Sequence, residues 1–163
     1  MRGSMFTQTD YSGTRQTQYN MLGKQLDALL EGETNRIANL SNAAALLNQF
    51  LERTNWVGFY LMENGELVLG PFQGLPACVR IAVGKGVCGT AVSERKTMLV
   101  KDVHAFPGHI ACDAASRSEI VVPLIKDGEV IGVLDIDSPE LSRFTEEDQK
   151  GLETFTEILL SHL

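Results

Sequence analysis

Hydrophobic residues recur at helical spacing near both ends of the chain. One predicted helix runs from about Tyr19 to Leu30, and a turn at Glu31-Gly32-Glu33 separates it from a second that begins near Thr34. The apolar face of this second helix is predicted to hold Ile37, Leu40, Ala44, Leu47 and Leu51. A third helix is predicted from Phe144 to Leu163, because Thr145 can cap it and its acidic first turn suits the positive end of a helix.

Between these helices the pattern changes to short runs of β-branched and aromatic residues, which are typical of strands. The predicted strands are Asn55–Met62, Leu67–Phe72, Val79–Val83, Thr97–Lys101, Ile120–Ile125 and Val130–Ile136. The pairs Asn64-Gly65 and Asp127-Gly128 are strong hairpin signals, and each lies between two of these strands. A short helix is predicted over Gly86–Arg95. Two hairpins with helices gathered at the ends of the sheet predict an antiparallel α+β fold.

One long connection, from Asp102 to Ser118, has no usable period. Connections of this length are uncommon inside a compact domain and are often functional. We therefore expect this segment to be a functional loop or lid.

The 163 residues are the length of one domain, and 44% of them are hydrophobic, as in ordinary soluble proteins. We assign residues 1–16 to an expression-vector remnant, Met1-Arg2-Gly3-Ser4, followed by a loose lead-in. Residues 17–163 then form the single domain.

Acidic residues outnumber basic ones by 21 to 14, which gives a formal net charge of −7. This balance disfavours nucleic acid and anionic membranes as partners, because both attract positive charge. The apolar runs, such as Ile120–Ile125, are far shorter than the ~20 residues of a membrane span. The cysteine count is odd, at three, and no export signal is visible, so we expect a cytoplasmic protein without a structural disulfide framework.

A glycine-rich segment, Gly84-Lys85-Gly86-Val87-Cys88-Gly89, follows a predicted strand and opens the short helix. It matches the G-x-G-x-x-G pattern of dinucleotide-binding proteins, and Asp102 stands near the position of a ribose-binding acid. The helix is short, however, and its neighbours are hairpins in place of repeated βαβ units. We favour a structural role, in which the glycines allow a tight turn and place Cys88 at a helix N-terminus, where the thiolate is favoured.

The cysteines Cys78, Cys88 and Cys112 fit no standard motif. None of their spacings is C-x-x-C, so they do not form a thioredoxin-like pair. His104 and His109 lie near Cys112, but the spacing fits no closed tetrahedral zinc site, and we expect no metal. The residues alone leave open whether the cysteines are buried apolar side chains or redox-active thiols.

Two acidic residues, Asp135 and Asp137, end the last predicted strand, and alternation places them on one face with Ile131 and Val133. Carboxylates this close together on a largely apolar face are costly unless they face a polar pocket or a ligand, and at least one pKa rises. A plain two-residue turn at Asp127-Gly128 would place Glu119 opposite Ile136, away from the face of the two aspartates. A β-bulge in this hairpin, or a three-residue turn, would bring Glu119 opposite Asp137 instead. The alternative is that these acids mark only a solvated strand end.

Six segments stand out when the chain is considered as a whole: NWVGFY (Asn55–Tyr60), GPFQG (Gly70–Gly74), GKGVCG (Gly84–Gly89), FPGHIACD around Cys112, SEIVVP (Ser118–Pro123) and LDIDSP (Leu134–Pro139). In them the chain resembles the free methionine-(R)-sulfoxide reductases, an enzyme branch of the GAF domain fold. The resemblance runs from about residue 17 to residue 163. It implies a six-stranded antiparallel sheet with the N- and C-terminal helices packed on one side and a long loop covering a small-molecule pocket.

The resemblance also implies an activity, the reduction of free L-methionine-(R)-sulfoxide to L-methionine through a cysteine sulfenic acid and an intramolecular disulfide. No cofactor is expected, thioredoxin is the implied reductant, a homodimer is the implied assembly, and oxidative stress is the implied setting. The implied nucleophile is Cys112, with Cys78 as first resolving thiol and Cys88 as a secondary one. The implied substrate-binding residues are Glu119, Asp135 and Asp137 for the sulfoxide oxygen, Trp56 for the methyl group and Tyr60 for the pocket wall.

The main alternative is a non-enzymatic GAF module that senses a cyclic nucleotide or a similar small ligand. Such a sensor is expected to carry a fused effector domain, and we expect none in 163 residues. This alternative also gives no reason for three cysteines. For Trp56 and Tyr60 themselves, the alternative to a pocket role is that they are ordinary core residues.

Overall fold

A computed structural model gives the fold, and it describes residues 6–7, 9–109 and 114–163. Within these residues the helices and strands follow the predicted order, and the predicted α+β class is confirmed. The helices are α1 (Arg15–Leu30), α2 (Arg36–Phe50), α3 (Gly86–Glu94), α4 (Glu146–Leu160) and a short 3-10 helix (Val103–Ala105). The strands are β1 (Trp56–Glu63), β2 (Glu66–Gly74), β3 (Arg80–Ala82), β4 (Met98–Val100), β5 (Ser118–Lys126) and β6 (Glu129–Ser138).

The six strands form one antiparallel sheet in the order β3-β2-β1-β6-β5-β4. Both predicted hairpin turns are present: φ is 51° and 84° at Asn64 and Gly65, and 52° and 78° at Asp127 and Gly128. Positive φ at both central residues gives the turn a twist that matches the strands it joins. The sheet therefore has β1 and β6 at its centre and β3 and β4 at its opposite edges.

The helices α1, α2 and α4 cover one face of the sheet, as predicted, and form the main hydrophobic core with it. Leu22, Leu26 and Leu30 of α1 are fully buried there, and each such side chain contributes about 1.5–3 kcal/mol. At the start of α4, Thr145 and Asp148 form a reciprocal capping box, which confirms Thr145 as the cap.

Two details of the predicted helices are wrong. The helix α1 begins at Arg15, four residues before the predicted start, because the hydroxyl of Thr14 accepts a hydrogen bond from the Thr17 N–H at 3.1 Å and caps it there. Ile37 is 67% exposed and does not face the core, because α2 buries no residue before Asn39. None of the described helices combines the length and the apolar composition that crossing a bilayer requires.

The opposite face of the sheet is covered by α3 and by the connections that follow β2 and β4. A second apolar cluster lies there and contains Trp56, Tyr60, Val87, Cys88, Val121 and Val133. Polar groups of the sheet that point to this side therefore lie close to α3.

The pairing of β5 with β6 contains one β-bulge, and the bulge decides which side chains point toward α3. The register shifts between Leu124 and Ile125, and Ile131 is the extra residue on β6. Beyond the bulge Glu119 lies opposite Asp137, which is the bulged one of the two registers that the sequence left open. Ile131 packs against the helix-side core, so its predicted place on the same face as Asp135 is wrong.

Candidate active site

A cavity of about 50 Å³ lies between α3 and the sheet. Its walls come from β1, β3, β5, β6, the N-terminus of α3 and the segments after β2 and β4. The structure brings six of the predicted site residues to this cavity: Trp56, Tyr60, Cys88, Glu119, Asp135 and Asp137.

The three acids come together because β6 lies between β1 and β5. Asp135 and Asp137 point to the same side of β6, and Glu119 on β5 is paired with Asp137. Glu119 and Asp135 are each only 6% exposed. The acids are therefore not a solvated strand end, and the alternative reading of these residues is wrong.

Burial controls the charge of this cluster. It raises the pKa of Glu119 well above its ordinary value, and the nearby negative charges of Asp135 and Asp137 raise that pKa further. Burial also raises the pKa of Asp135, although its hydrogen bonds to Glu119 and Cys88 oppose the rise. The cluster therefore retains protons at a pH where exposed carboxyl groups have lost theirs.

One oxygen of the cluster is available to a ligand. Asp135 Oδ1 is buried and has no hydrogen-bond partner among the residues that the structure describes. A buried oxygen without a partner is costly, so a ligand atom that bonded to it would gain affinity.

The thiol of Cys88 belongs to the same cluster, and its Sγ lies 4.0 Å from Glu119 Oε2. Burial raises the pKa of Cys88 well above its ordinary value, and the charges of Asp135 and Glu119 add to the rise. The prediction that the helix N-terminus favours the thiolate is therefore wrong. A helix dipole stabilises a nearby negative charge by about 0.3–1 kcal/mol, which is less than about one pKa unit. Full burial can raise the pKa of a thiol by up to about 3–5 units.

The other two cysteines are Cys78 and Cys112. Cys78 is half-buried and disulfide-bonded in this structure, and its carbonyl oxygen accepts a hydrogen bond from the Tyr60 hydroxyl at 2.9 Å. Cys112, the predicted nucleophile, lies outside the described residues. Its predicted role stays a prediction.

The aromatic wall of the cavity is rigidly held. The ring of Trp56 stacks with that of Tyr60 and with that of Phe72, at centroid distances of 5.8 and 5.1 Å. The Trp56 Nε1–H donates to the carbonyl oxygen of Leu75 at 3.1 Å. Trp56 is 3% exposed and Tyr60 is 2% exposed, so both are core residues. Both also line the cavity, so the two interpretations of these residues hold together.

A cation is one possible occupant of the acid cluster. One ligand atom from each of Cys88, Glu119 and Asp135 lies within 4.8 Å of the others. Because burial raises the pKa of all three groups, a metal ion would have to displace their protons. The expectation of no metal stays a prediction.

The dinucleotide interpretation of the glycine-rich segment is wrong. The strands on either side of α3 are β3 and β4, and they lie at opposite edges of the sheet, so no βαβ crevice exists around this helix. A side chain on Gly89 would place its Cβ 2.3 Å from the carbonyl oxygen of Ala82. Because Gly89 has no side chain, α3 can pack closely against the backbone of Ala82.

His109 is one of the cavity residues that sequence reasoning missed as site residues, as are Lys85 and Ser116. It lines the cavity, and its ring atom Nδ1 is buried without a hydrogen-bond partner within the described segments. Burial and the nearby His104 lower its pKa, so the ring is neutral at physiological pH. Its position in the FPGHIACD segment was the available signal, but we weighed it only as a zinc ligand.

The chain is similar to known proteins over most of its length. Residues 25–160 match the GAF domain. The free methionine-R-sulfoxide reductase of Escherichia coli is 58% identical over 134 residues, which cover 82% of this chain and 81% of that protein.

Solved structures are similar in fold as well as in sequence. The free methionine-R-sulfoxide reductase (fRMsr) of Staphylococcus aureus, solved in its reduced form, is 60% identical, with a TM-score of 0.87 over 89% of this chain and 94% of that one. The free methionine-R-sulfoxide reductase of Neisseria meningitidis, solved in complex with its substrate, is 44% identical, with a TM-score of 0.92 over 97% and 95%.

Proposed function

The chain belongs to the GAF domain family, and we propose that it is an oxidoreductase that reduces free L-methionine-(R)-sulfoxide to L-methionine. The observation that carries the proposal is the pair of buried acids, Glu119 and Asp135, in a small-molecule cavity beside Trp56. A sulfoxide oxygen must be protonated as its S–O bond breaks, and acids that burial keeps protonated supply that proton. The named reductases that are similar to the chain support the same activity.

The first chemical step is oxygen transfer to a cysteine. The thiolate of Cys112 attacks the sulfoxide sulfur while the acid cluster protonates the oxygen. Methionine then leaves, and Cys112 becomes a sulfenic acid, so that the sulfoxide is reduced by two electrons and the cysteine is oxidised by two.

The cavity positions the substrate for this step. Glu119, Asp135 and Asp137 bind the sulfoxide oxygen, and the unpartnered Asp135 Oδ1 gives that oxygen a place among them. The indole of Trp56 holds the methyl group against its ring, and Tyr60 completes the wall.

The sulfenic acid is then resolved by a second thiol. Cys78 attacks the Cys112 sulfur, a disulfide forms, and water leaves. The disulfide-bonded state of Cys78 in this structure supports this role. Cys88 remains a secondary resolving thiol, because its raised pKa keeps it protonated and weakly nucleophilic at neutral pH.

The remaining parts of the proposal concern the setting. Thioredoxin reduces the disulfide, no cofactor is bound, and the protein acts in the cytoplasm under oxidative stress. A homodimer is proposed with the N-terminal helices as its interface.

The proposal is tested by turnover assays on separated R and S epimers of free methionine sulfoxide, with dithiothreitol as reductant and a peptide-bound sulfoxide beside them. We expect methionine from the free R epimer, no product from Cys112→Ser, and retained turnover in the matched variant Cys88→Ser. Turnover that survives in Cys112→Ser would move the nucleophile to Cys88. No product from either epimer with the unaltered chain would reject the enzyme proposal.

A further inference from the structure

Exposed large apolar side chains are concentrated around Cys78. In the described part of the chain they are Phe6, Ile37, Leu75, Val79, Val83 and Leu141. Three of these six lie within five residues of Cys78 in the sequence. They are Leu75, which is 65% exposed, Val79, which is 58% exposed, and Val83, which is 39% exposed. We call Leu75, Val79 and Val83 the Cys78 surface. Grouped exposed apolar side chains mark places where another molecule docks.

The backbone beneath the Cys78 surface is fixed. The segment 75–79 connects β2 to the edge strand β3 and belongs to neither. The carbonyl oxygens of Leu75 and Cys78 accept hydrogen bonds from Trp56 and Tyr60, and the Leu69 N–H donates to the carbonyl oxygen of Val79 at 2.8 Å. These bonds hold the segment from the cavity side, while the side chains of the Cys78 surface remain exposed to a partner.

The charge of this part of the chain differs from that of the whole. No acidic residue occurs between Glu66 and Glu94, although the chain carries a formal net charge of −7. Arg80 and Lys85 lie in that interval, and both are exposed. Arg80 forms an ion pair with Glu66 at 2.7 Å, which leaves Lys85 as the other basic residue of the interval. The surroundings of Cys78 are thus apolar and neutral to basic, which suits a partner with an apolar contact face and negative charge around it.

We propose that the Cys78 surface is the docking site for a dithiol protein of the thioredoxin type. This inference rests on the proposed function, which requires the disulfide of Cys78 to be reduced after each turnover. A half-buried disulfide is attacked only by a thiolate that comes close to its sulfur, and an apolar contact around that sulfur holds the reductant in place for the exchange.

The exchange has two steps. A thiolate of the reductant attacks Cys78 Sγ, a mixed disulfide forms, and the disulfide partner of Cys78 leaves as a thiolate. The second thiol of the reductant then attacks the first, which releases Cys78 as a thiolate and leaves the reductant oxidised. Two electrons pass to the protein, and its two thiolates take up the protons that the dithiol loses.

The test compares a protein reductant with a small one. The double variant Val79→Glu/Val83→Glu is assayed with a bacterial thioredoxin, its reductase and NADPH, and separately with dithiothreitol. We expect the KM for thioredoxin to rise about tenfold or more, as for the loss of an interface anchor, and turnover with dithiothreitol to stay within about twofold. The neutral double variant Val79→Gln/Val83→Gln should raise the same KM to a smaller degree. The matched control Leu141→Glu, which also places a charge at an exposed apolar position, should change neither assay.

Several results would overturn the inference. An unchanged KM for thioredoxin in the Glu double variant would do so, and so would equal losses with both reductants, which indicate damage to the site or the fold. Sedimentation that shows a dimer dissociating, with the KM for thioredoxin unchanged, would assign the Cys78 surface to a second copy of the chain. If the proposed function itself fails, the unaltered protein shows no turnover even with dithiothreitol, which distinguishes that failure from failure of the docking site.

Discussion

At the scale of single residues, Glu119 is the acid whose environment is most altered. Its carboxyl group is buried, lies opposite Asp137 and has neighbouring negative charges, all of which favour its protonated form. A carboxylic acid kept neutral in this way can donate a proton near physiological pH. We therefore assign the proton transfer to the sulfoxide oxygen to Glu119 in the first instance.

Replacing Glu119 by Gln keeps the shape and a hydrogen-bond donor but removes the transferable proton. We expect Glu119→Gln to form methionine about 10²–10⁴-fold more slowly, as for loss of a general acid. In the unaltered protein the rate should fall as the pH rises through the raised pKa of Glu119, and the variant should lack that decrease. Methionine formed in a single turnover of pre-reduced protein, without added reductant, gives both rates across the pH range.

A control for this variant is Glu129→Gln, which changes an exposed acid at the turn end of the same hairpin and should keep the full rate and its pH profile. If Glu119→Gln kept the alkaline decrease in rate, the proton would come from another group, and Asp135 would be the next candidate.

The sequence could predict which acids lie close together, but not the direction of the Cys88 pKa shift or the place of His109 in the cavity. Alternation along β6 put Asp135 and Asp137 on one face, and a single bulge brought Glu119 to them. The pKa of Cys88 was predicted in the wrong direction, because a helix position is visible in the sequence and the burial of a thiol among carboxyl groups is not. His109 was missed as a cavity residue for a similar reason, since a loop carries no period.

At the scale of elements, the position of α3 depends on a close backbone contact. Gly89 packs against the carbonyl of Ala82, and its own carbonyl oxygen accepts a hydrogen bond from the Gly84 N–H at 2.9 Å. The first turn of this helix forms one wall of the cavity and carries Cys88. A shift of α3 would therefore alter the site as well as the stability.

The variant Gly89→Ala tests this contact. Its new Cβ would lie 2.3 Å from a backbone oxygen, so the helix must move. We expect the free energy of unfolding to fall by about 1–3 kcal/mol, as for overpacking, and the KM for the sulfoxide to rise. Urea unfolding and steady-state assays with dithiothreitol measure the two effects.

Ser93→Ala, one turn further along the same helix and exposed, serves as the matched control and should change the free energy of unfolding by no more than about 0.5 kcal/mol. Equal free energies of unfolding for Gly89→Ala and Ser93→Ala would mean that the position of α3 does not depend on the close contact between Gly89 and the Ala82 carbonyl oxygen.

The elements themselves were largely predictable, because each has a local signal. Asx-Gly pairs located both hairpins, and Thr145 located the start of α4. The errors arise where tertiary structure overrides a period. Ile131 changes face because a bulge inserts one residue, and Ile37 is exposed because the buried face of α2 begins only at Asn39.

At the scale of the whole molecule, the two faces of the sheet bury acids in opposite electrostatic environments. On the cavity side, Glu119 has carboxyl and thiol neighbours, and its pKa is raised. On the helix side, the carboxylate of Asp148 accepts a hydrogen bond from the Tyr19 hydroxyl at 2.7 Å and pairs with Arg15 and Arg143. These hydrogen bonds and positive charges outweigh burial and lower the pKa of Asp148.

These two environments predict a stability that decreases toward both acid and alkali. A folded-state pKa above the unfolded value, as for Glu119, contributes stability that is complete below the ordinary value of 4.5 and is lost as the pH rises through the raised pKa. A lowered pKa, as for Asp148, contributes stability that is present above 3.8 and is lost as the pH falls through the folded value.

Urea unfolding of reduced protein between pH 3 and 8, followed by the fluorescence of the sole tryptophan, Trp56, separates the two contributions. In the unaltered chain we expect the free energy of unfolding to fall above pH 5, with up to about 1.4 kcal/mol per pH unit for each retained proton. Glu119→Gln should make this decrease shallower and leave the acid side unchanged. Asp148→Asn should lower stability at neutral pH, with a difference that shrinks toward pH 3. If Glu119→Gln left the alkaline slope unchanged, the retained proton would belong to another group, such as Asp135, and the proton-donating role of Glu119 would be rejected on evidence independent of any activity assay.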